Sequence, residues 1–212
     1  MKIGVIGAGR IGGGIARQLA GAGHEMLVAG REPERLAPLA EEIGARAGTP
    51  AEAAAFGEVV VLSVPSRAFD DVLADAGPLD GKIVIDTTNS FAGDVAGTQA
   101  SRNAAKLPGA RYTKSFNTLT AAFQDETAGR VPRVVQWLCG DDAGAKRVVA
   151  GLIEDAGFAP VDVGGTADAA VMESPRRPGA VYGEEYRAED AQAVVDAVKQ
   201  GRPIPPTPVY GT

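Results

Sequence analysis

Gly7, Gly9 and Gly12 stand in the run Gly-Ala-Gly-Arg-Ile-Gly, directly after an apolar stretch over residues 1–6 and directly before a helical pattern over 13–22. That spacing suits a dinucleotide pyrophosphate. Gly7 makes the tight turn, Gly9 lets backbone approach the phosphates, and Gly12 lets the helix pack close to the strand. The phosphates would sit at the helix N-terminus, where free N–H groups and the helix dipole favour anions. Arg10, inside the loop, adds positive charge. Because the chain holds 28 glycines, position and not glycine content carries this reading. A plain turn in some other α/β protein is the alternative.

The residues after the second strand select the nucleotide. NAD-binding chains usually place an acid there for the ribose hydroxyls. This chain has Gly30 and Arg31, with Arg35 one helical turn further on. Guanidinium groups bind a 2′-phosphate bidentately, whereas a carboxylate repels it. Arg31 and Arg35 therefore favour NADP(H). Glu32 competes as a ribose contact but fits the first helical turn as a dipole partner. Arg31 and Arg35 as solvated surface charges is the plainer alternative.

Three polar segments follow later strands: Ser63, Val64, Pro65 and Ser66; Thr87, Thr88 and Asn89; Ser115, Phe116, Asn117 and Thr118. In an open α/β sheet ligands bind beyond the carboxyl ends of the strands. Any one segment is explained by turn and capping chemistry, but three at corresponding strand ends point to a site lining. Lys114 is a candidate catalyst, with a surface or packing role as the alternative. Cys139, the single cysteine, lies in an apolar run and reads as a core thiol. His24, the single histidine, reads as structural or surface. No metal site is expected.

The elements that position these groups alternate. Strands are expected near 1–6, 25–29, 45–47, 58–64, 82–86, 111–115, 134–138 and 160–163. Helices are expected over 13–22, 33–43 (where Pro38 shortens or bends it), 66–76, 92–107, 142–155 and 189–199, with a further start at Thr49, Pro50 and Glu52, a capping-box pattern. The run Val59 to Val64 is apolar throughout, as in a parallel strand covered on both faces. The fold class is α/β: a doubly wound, mostly parallel Rossmann sheet with a small C-terminal helical or irregular extension. Residues 1–165 form the nucleotide-binding domain. Residues 166–212 form an extension that completes a substrate pocket or a dimer interface, and its proline-rich end over 203–208 cannot continue a helix.

With 212 residues, 45% hydrophobic and 23% charged, the chain reads as one soluble globular enzyme. A net charge of −6 argues against nucleic acid and against anionic membranes. No secretory signal and no membrane span are expected, and a reducing cytoplasm is the default location.

Taken in order, the glycine run, Gly30 and Arg31, Ser63 to Pro65, Ile85 to Asn89, Lys114 to Thr118, Cys139 to Asp142, Gly157 and Phe158, and Val161 to Gly164 resemble the NADP oxidoreductases that depend on the deazaflavin coenzyme F-420. The resemblance covers residues 1–165. It implies a homodimeric enzyme that binds NADP(H) across the sheet and passes a hydride directly between nicotinamide and a stacked deazaflavin, with no acid–base catalyst. It implies that Gly7, Gly9, Arg10, Ile11 and Gly12 hold the pyrophosphate and Arg31 and Arg35 the 2′-phosphate. Ser63, Val64, Pro65, Ser115 and Asn117 would border the nicotinamide.

This chain departs from the family in two places. Gly30 stands where members often carry serine, and Gly164, Gly165 and Thr166 replace a Gly-Pro-Leu-like turn. Arg176 and Arg177 meet an anionic deazaflavin tail or form a solvated loop. Two other functions stay open: an NADPH-dependent reductase of a flavin, quinone, imine or carbonyl compound, with Lys114 or Tyr112 as acid donor, and an NADP(H)-sensing binding module.

Overall fold

The computed structural model describes residues 1–91 and 96–210. Eight strands form one sheet: β1 (Lys2–Ile6), β2 (Glu25–Ala29), β3 (Arg46–Gly48), β4 (Val59–Leu62), β5 (Ile83–Asp86), β6 (Arg111–Lys114), β7 (Val135–Gly140) and β8 (Ala159–Gly164). Their order is β3-β2-β1-β4-β5-β6-β7-β8. Every pairing is parallel except β6 with β7, which run antiparallel. The order reverses between β1 and β4, the switch point at which doubly wound sheets bind ligands.

The helices are α1 (Arg10–Gly21), α2 (Ala37–Glu42), α3 (Pro50–Phe56), α4 (Phe69–Ala76), α5 (Gln99–Ala105), α6 (Ala121–Thr127), α7 (Ala143–Asp155) and α8 (Ala188–Lys199). Alternation along each strand builds two cores. Ile3, Val5, Val59 and Val61 pack against Ile15 and Leu19 of α1 and Val149 and Ile153 of α7. Ile6, Val60 and Leu62 face the other way, in a cluster with Phe69 of α4 and Val194 of α8. This two-sided burial is why the strands read as unbroken apolar runs.

Several boundaries move. The first helix starts at Arg10, so Arg10, Ile11 and Gly12 form its first turn and do not precede it. Gly12, Gly13 and Gly14 do not delay it: all three are buried, and a Cβ at Gly12 or Gly14 would lie within 3 Å of a neighbouring atom. The segment expected as one helix over 33–43 opens as a 3-10 turn, Pro33–Leu36, and becomes α-helical at Ala37. Pro38 falls in the first turn of α2, where its missing N–H costs nothing, so it causes no bend. The helix expected over 92–107 is seen at Gln99–Ala105, and residues 92–95 lie outside the described ones. Thr49 and Glu52 form the expected capping box. Helix α6 and a 3-10 segment, Thr166–Met172, were not anticipated.

The C-terminal extension belongs to the core. Tyr186 is 1% exposed and meets Trp137 edge to face at 5.3 Å, and Val194 of α8 is wholly buried.

Candidate cofactor and acceptor site

The glycine loop shows the three local demands separately. Gly7 has φ +91°, and a Cβ there would lie 2.3 Å from the Ser63 carbonyl oxygen, so only glycine makes this turn beside β4. At Gly12 a Cβ would lie 2.4 Å from the Gly7 carbonyl oxygen. Around Gly9 a Cβ would meet nothing within 4 Å. That open side is space a ligand can take.

Helix α1 begins beside it without a side-chain cap and without an acid in its first turn. By contrast α3, α5, α6 and α7 are capped by Thr49, Thr98, Thr120 and Asp142. The free N–H groups of α1 and its dipole therefore face the open side uncompensated, which suits a pyrophosphate.

On one side of this turn lies a cleft of about 700 Å³, walled by Gly7, Gly9, Arg31, Arg35, Ser63, Val64 and Pro65. Arg31 follows β2 and the Ser63 turn follows β4, the two neighbours of β1. Arg35 is paired with Glu32 at 3.1 Å, with both side chains largely exposed. Glu32 is the flanking residue of the 3-10 turn, not part of its first turn, and its partner is a guanidinium. Arg67, just after the Ser63 turn, also lines this cleft. The sequence reading passed over it, although a cation next to a strand-end turn was a visible signal.

On the other side lies a second cavity of about 300 Å³, lined among others by Arg10, Ile11, Asn89, Asn117, Thr118 and Tyr182. Gly9 lines the first space and Arg10, next in sequence, lines the second. The β6 strand delivers Asn117 through an unusual backbone. Phe116 adopts φ +57°, sparsely populated for a non-glycine residue, and its ring is held by edge-to-face packing on Phe158 at 6.4 Å. Asn89 Nδ2 donates to the Asn117 carbonyl at 2.8 Å. Asn117 Nδ2 donates to the Met172 carbonyl at 2.8 Å and to Asn89 Oδ1 at 3.2 Å. Asn117 Oδ1 and the Thr118 hydroxyl are buried and have no partner among the described residues.

Comparisons with known proteins assign the chain to a family. The model of the family described as NADP oxidoreductase coenzyme F420-dependent matches residues 2–90. The F420-dependent NADP reductase of Methanothermobacter marburgensis is 30% identical over 198 residues, covering 82% of this chain and 88% of that protein.

The chain belongs to the F420-dependent NADP oxidoreductase family.

By that membership it is an NADP-dependent oxidoreductase. The rat metalloreductase STEAP3 is 29% identical over 177 residues, 82% of this chain, which spans 36% of that protein's length. A solved structure of a hypothetical protein from Sinorhizobium meliloti superposes with a TM-score of 0.79 at 28% identity, covering 88% of this chain and 95% of that one.

Within the family framework, Ser115 and Arg10 sit differently from their sequence-based placement, and Arg176 and Arg177 take the loop alternative. Ser115 reaches neither cavity: it is wholly buried, and its hydroxyl donates to the Trp137 carbonyl at 2.8 Å. Just past the end of β6 the Ser115 N–H still donates to the Asp86 carbonyl of β5, and the positive φ comes only at Phe116. Arg10 lines the second cavity and not the first. Arg176 is paired with Glu184 at 2.6 Å, and Arg177 donates to the carbonyls of Ala170, Glu173 and Pro175. Both are committed to holding their own loop.

Beneath the strand ends lies a buried polar network. Asp86 accepts from Tyr112 Oη at 2.6 Å, Asn103 Nδ2 at 2.8 Å and the Thr88 backbone N–H at 2.7 Å. Lys114, far from being at the surface, is wholly buried, and its ammonium donates to the Thr88 carbonyl. Burial, and then Asp86, hold the Tyr112 phenol well above the ordinary range. Cys139 is wholly buried, and burial pushes its thiol up to about 12, the signature of an inert core cysteine. His24 bridges the N-terminal amine at 3.3 Å and Asp155 at 3.0 Å, a structural tie.

Proposed function

We propose that this chain transfers a hydride between NADP(H) and the deazaflavin coenzyme F420. The observation that carries the reading is the pair of spaces flanking the uncapped start of α1, one walled by Gly9, Arg31 and Arg35, the other by Arg10, Asn117 and Tyr182. In this reading Gly7, Gly9, Gly12 and the first turn of α1 hold the pyrophosphate. Arg31 and Arg35 hold the 2′-phosphate, with Ser63, Val64 and Pro65 along the wall, and Asn117 borders the nicotinamide. The open side of Gly9 is the observation that fits the nucleotide.

Both rings supply their own redox chemistry when bound. The protein's share is alignment, close approach and exclusion of water. The side chains sited for that are Ile11, Asn117 and Tyr182. Reduction of an imine or carbonyl compound would need a proton donor over the nicotinamide. The two donors suggested for it, Lys114 and Tyr112, are committed to the Thr88 carbonyl and to Asp86 and line neither space. Hence direct ring-to-ring transfer is favoured.

The proposal assigns residues 1–165 to the nucleotide and 166–212 to completing the acceptor cavity, to which Tyr182 and Gly183 contribute. It also takes the enzyme to be a cytoplasmic homodimer. None of the described helices is long and apolar enough to cross a membrane. The test is steady-state oxidation of NADPH with F420, flavin and imine acceptors in parallel. F420 should give the highest kcat/KM, and preference for another acceptor would overturn the assignment.

A further inference from the structure

Glu32 stands between the two arginines proposed for the 2′-phosphate and lines the same cleft. It falls just past the end of β2, in the segment where NAD-binding chains place an acid for the ribose hydroxyls. The local fold leaves its carboxylate unused. Glu32 is the N-cap residue of the Pro33–Leu36 turn, yet its side chain makes no capping hydrogen bond. Its Oε1 instead accepts from Arg35 Nη1 at 3.1 Å. An exposed pair of this kind is weak and opens readily. Arg35 therefore already has a carboxylate on it, which any 2′-phosphate must displace.

The rest of the wall is built in the same balance. Gly30 lines the cleft and brings no side-chain ligand to it. Arg67, in the 3-10 turn after β4, adds a third cation. Asp71 and Asp75, four residues apart in α4, line the cleft as well. Three guanidinium groups thus face three carboxylates, and the formal charges of the wall cancel. A cleft that selected a phosphate dianion by its field would carry an excess of positive charge.

We infer that this cleft takes NAD(H) as well as NADP(H), and that Glu32 sets the preference between them. With NADPH, the 2′-phosphate displaces Glu32 from Arg35 and lies beside its negative charge. With NADH, Glu32 keeps Arg35 and also accepts a hydrogen bond from the ribose 2′-hydroxyl, since a carboxylate has lone pairs for both. The inference rests on the nucleotide site proposed above and goes beyond it in the nucleotides admitted.

The test is isothermal titration of NADPH and of NADH into the full chain, as wild type, Glu32→Ala and Glu32→Gln. The Glu32 side chain is 66% exposed, so all three proteins should share one melting curve. Wild type should bind NADH within about a hundredfold of NADPH, the range of one charge-assisted contact. Glu32→Ala should tighten NADPH about threefold by removing the competing pair. It should weaken NADH about threefold by removing the acceptor of the hydroxyl, so that the preference widens about tenfold. Glu32→Gln drops the charge and keeps an acceptor oxygen, so it should tighten NADPH alike with a smaller loss of NADH. Affinities that move in the same direction in Glu32→Ala, or fail to move for either nucleotide, overturn the inference. So does wild type that binds NADPH but takes NADH more than about a hundredfold more weakly. Those results leave the NADPH site standing, whereas wild type that binds neither nucleotide overturns the site itself.

Discussion

Lys114 Nζ lies 3.6 Å from Asp86 Oδ2, directly across the β5–β6 ladder, and neither side chain has any solvent exposure. The pair is placed to hold the loop that follows β5. Lys114 fixes the Thr88 carbonyl, Asp86 fixes the Thr88 N–H, and Asn89 next in line binds the Asn117 carbonyl. The second cavity is thus braced from below by an ion pair that does not line it.

Removing one member strands the other charge in the core. Lys114→Met should cost about 3 kcal/mol or more of stability in urea unfolding. Adding Asp86→Asn to it should cost clearly less than the sum of the single changes, since the two groups are coupled. Additive losses would mean that the pair does not act as a unit.

Arg31 and Arg35 should set nucleotide preference. Arg31→Ala and Arg35→Ala together are expected to weaken NADPH by about tenfold to a hundredfold while leaving NADH binding nearly unchanged, because only NADPH carries the 2′-phosphate. Isothermal titration with both nucleotides checks this. An equal loss for both would move the arginines off the phosphate.

Gly9 and Gly12 should fail in different ways. A Cβ at Gly12 would collide with the Gly7 carbonyl, so Gly12→Ala should destabilise the fold by about 1–3 kcal/mol. At Gly9 the Cβ has free space and φ is −77°, so Gly9→Ala should change stability by about 0.5 kcal/mol or less. It should nevertheless weaken NADPH by about tenfold. Thermal melts with and without NADPH separate the two effects.

Asp142 caps α7 through the Ala145 N–H and takes two hydrogen bonds from Arg111, at 2.8 Å and 3.0 Å. Arg111, then the backbone N–H of Ala145, holds its carboxyl well below the ordinary carboxylate value. A lowered folded-state pKa gives stability that is present above the unfolded value, about 4, and is lost as pH falls below it. Melting temperature should therefore decline from about pH 4 downward. Asp142→Asn, which keeps the cap but not the charge, should flatten that decline.

Eight strands and a mostly parallel sheet were legible because each buried strand is a short apolar run and each glycine or capping pattern marks a boundary, whereas the antiparallel pairing of β6 with β7 was not. Thr49 and Glu52 announced their capping box by residue type alone. What stayed hidden depended on contacts distant in sequence. Lys114 reads as a catalyst or as a surface or packing residue until Asp86 and Thr88 are brought to it from another strand. Ser115 looks like a site residue until the turn is found to begin one position later, at Phe116. Tyr182 sits in a stretch without periodicity and reaches the cavity only because the extension folds back onto the sheet. Helix α6 is a short segment whose signal, Thr120 as cap, lay in a region with no neighbouring pattern.

The most direct test of the central claim is the fate of a labelled hydride. NADPH carrying deuterium at C4 of the nicotinamide, in one stereochemical position at a time, is mixed anaerobically with oxidised F420 and the protein, and the reduced deazaflavin is analysed by mass spectrometry. Direct ring-to-ring transfer predicts that deuterium from one of the two C4 positions arrives on the deazaflavin ring without exchange with water. Oxidation of NADPH with the label lost to solvent, or no reduction of F420 by protein that binds NADPH, would contradict it.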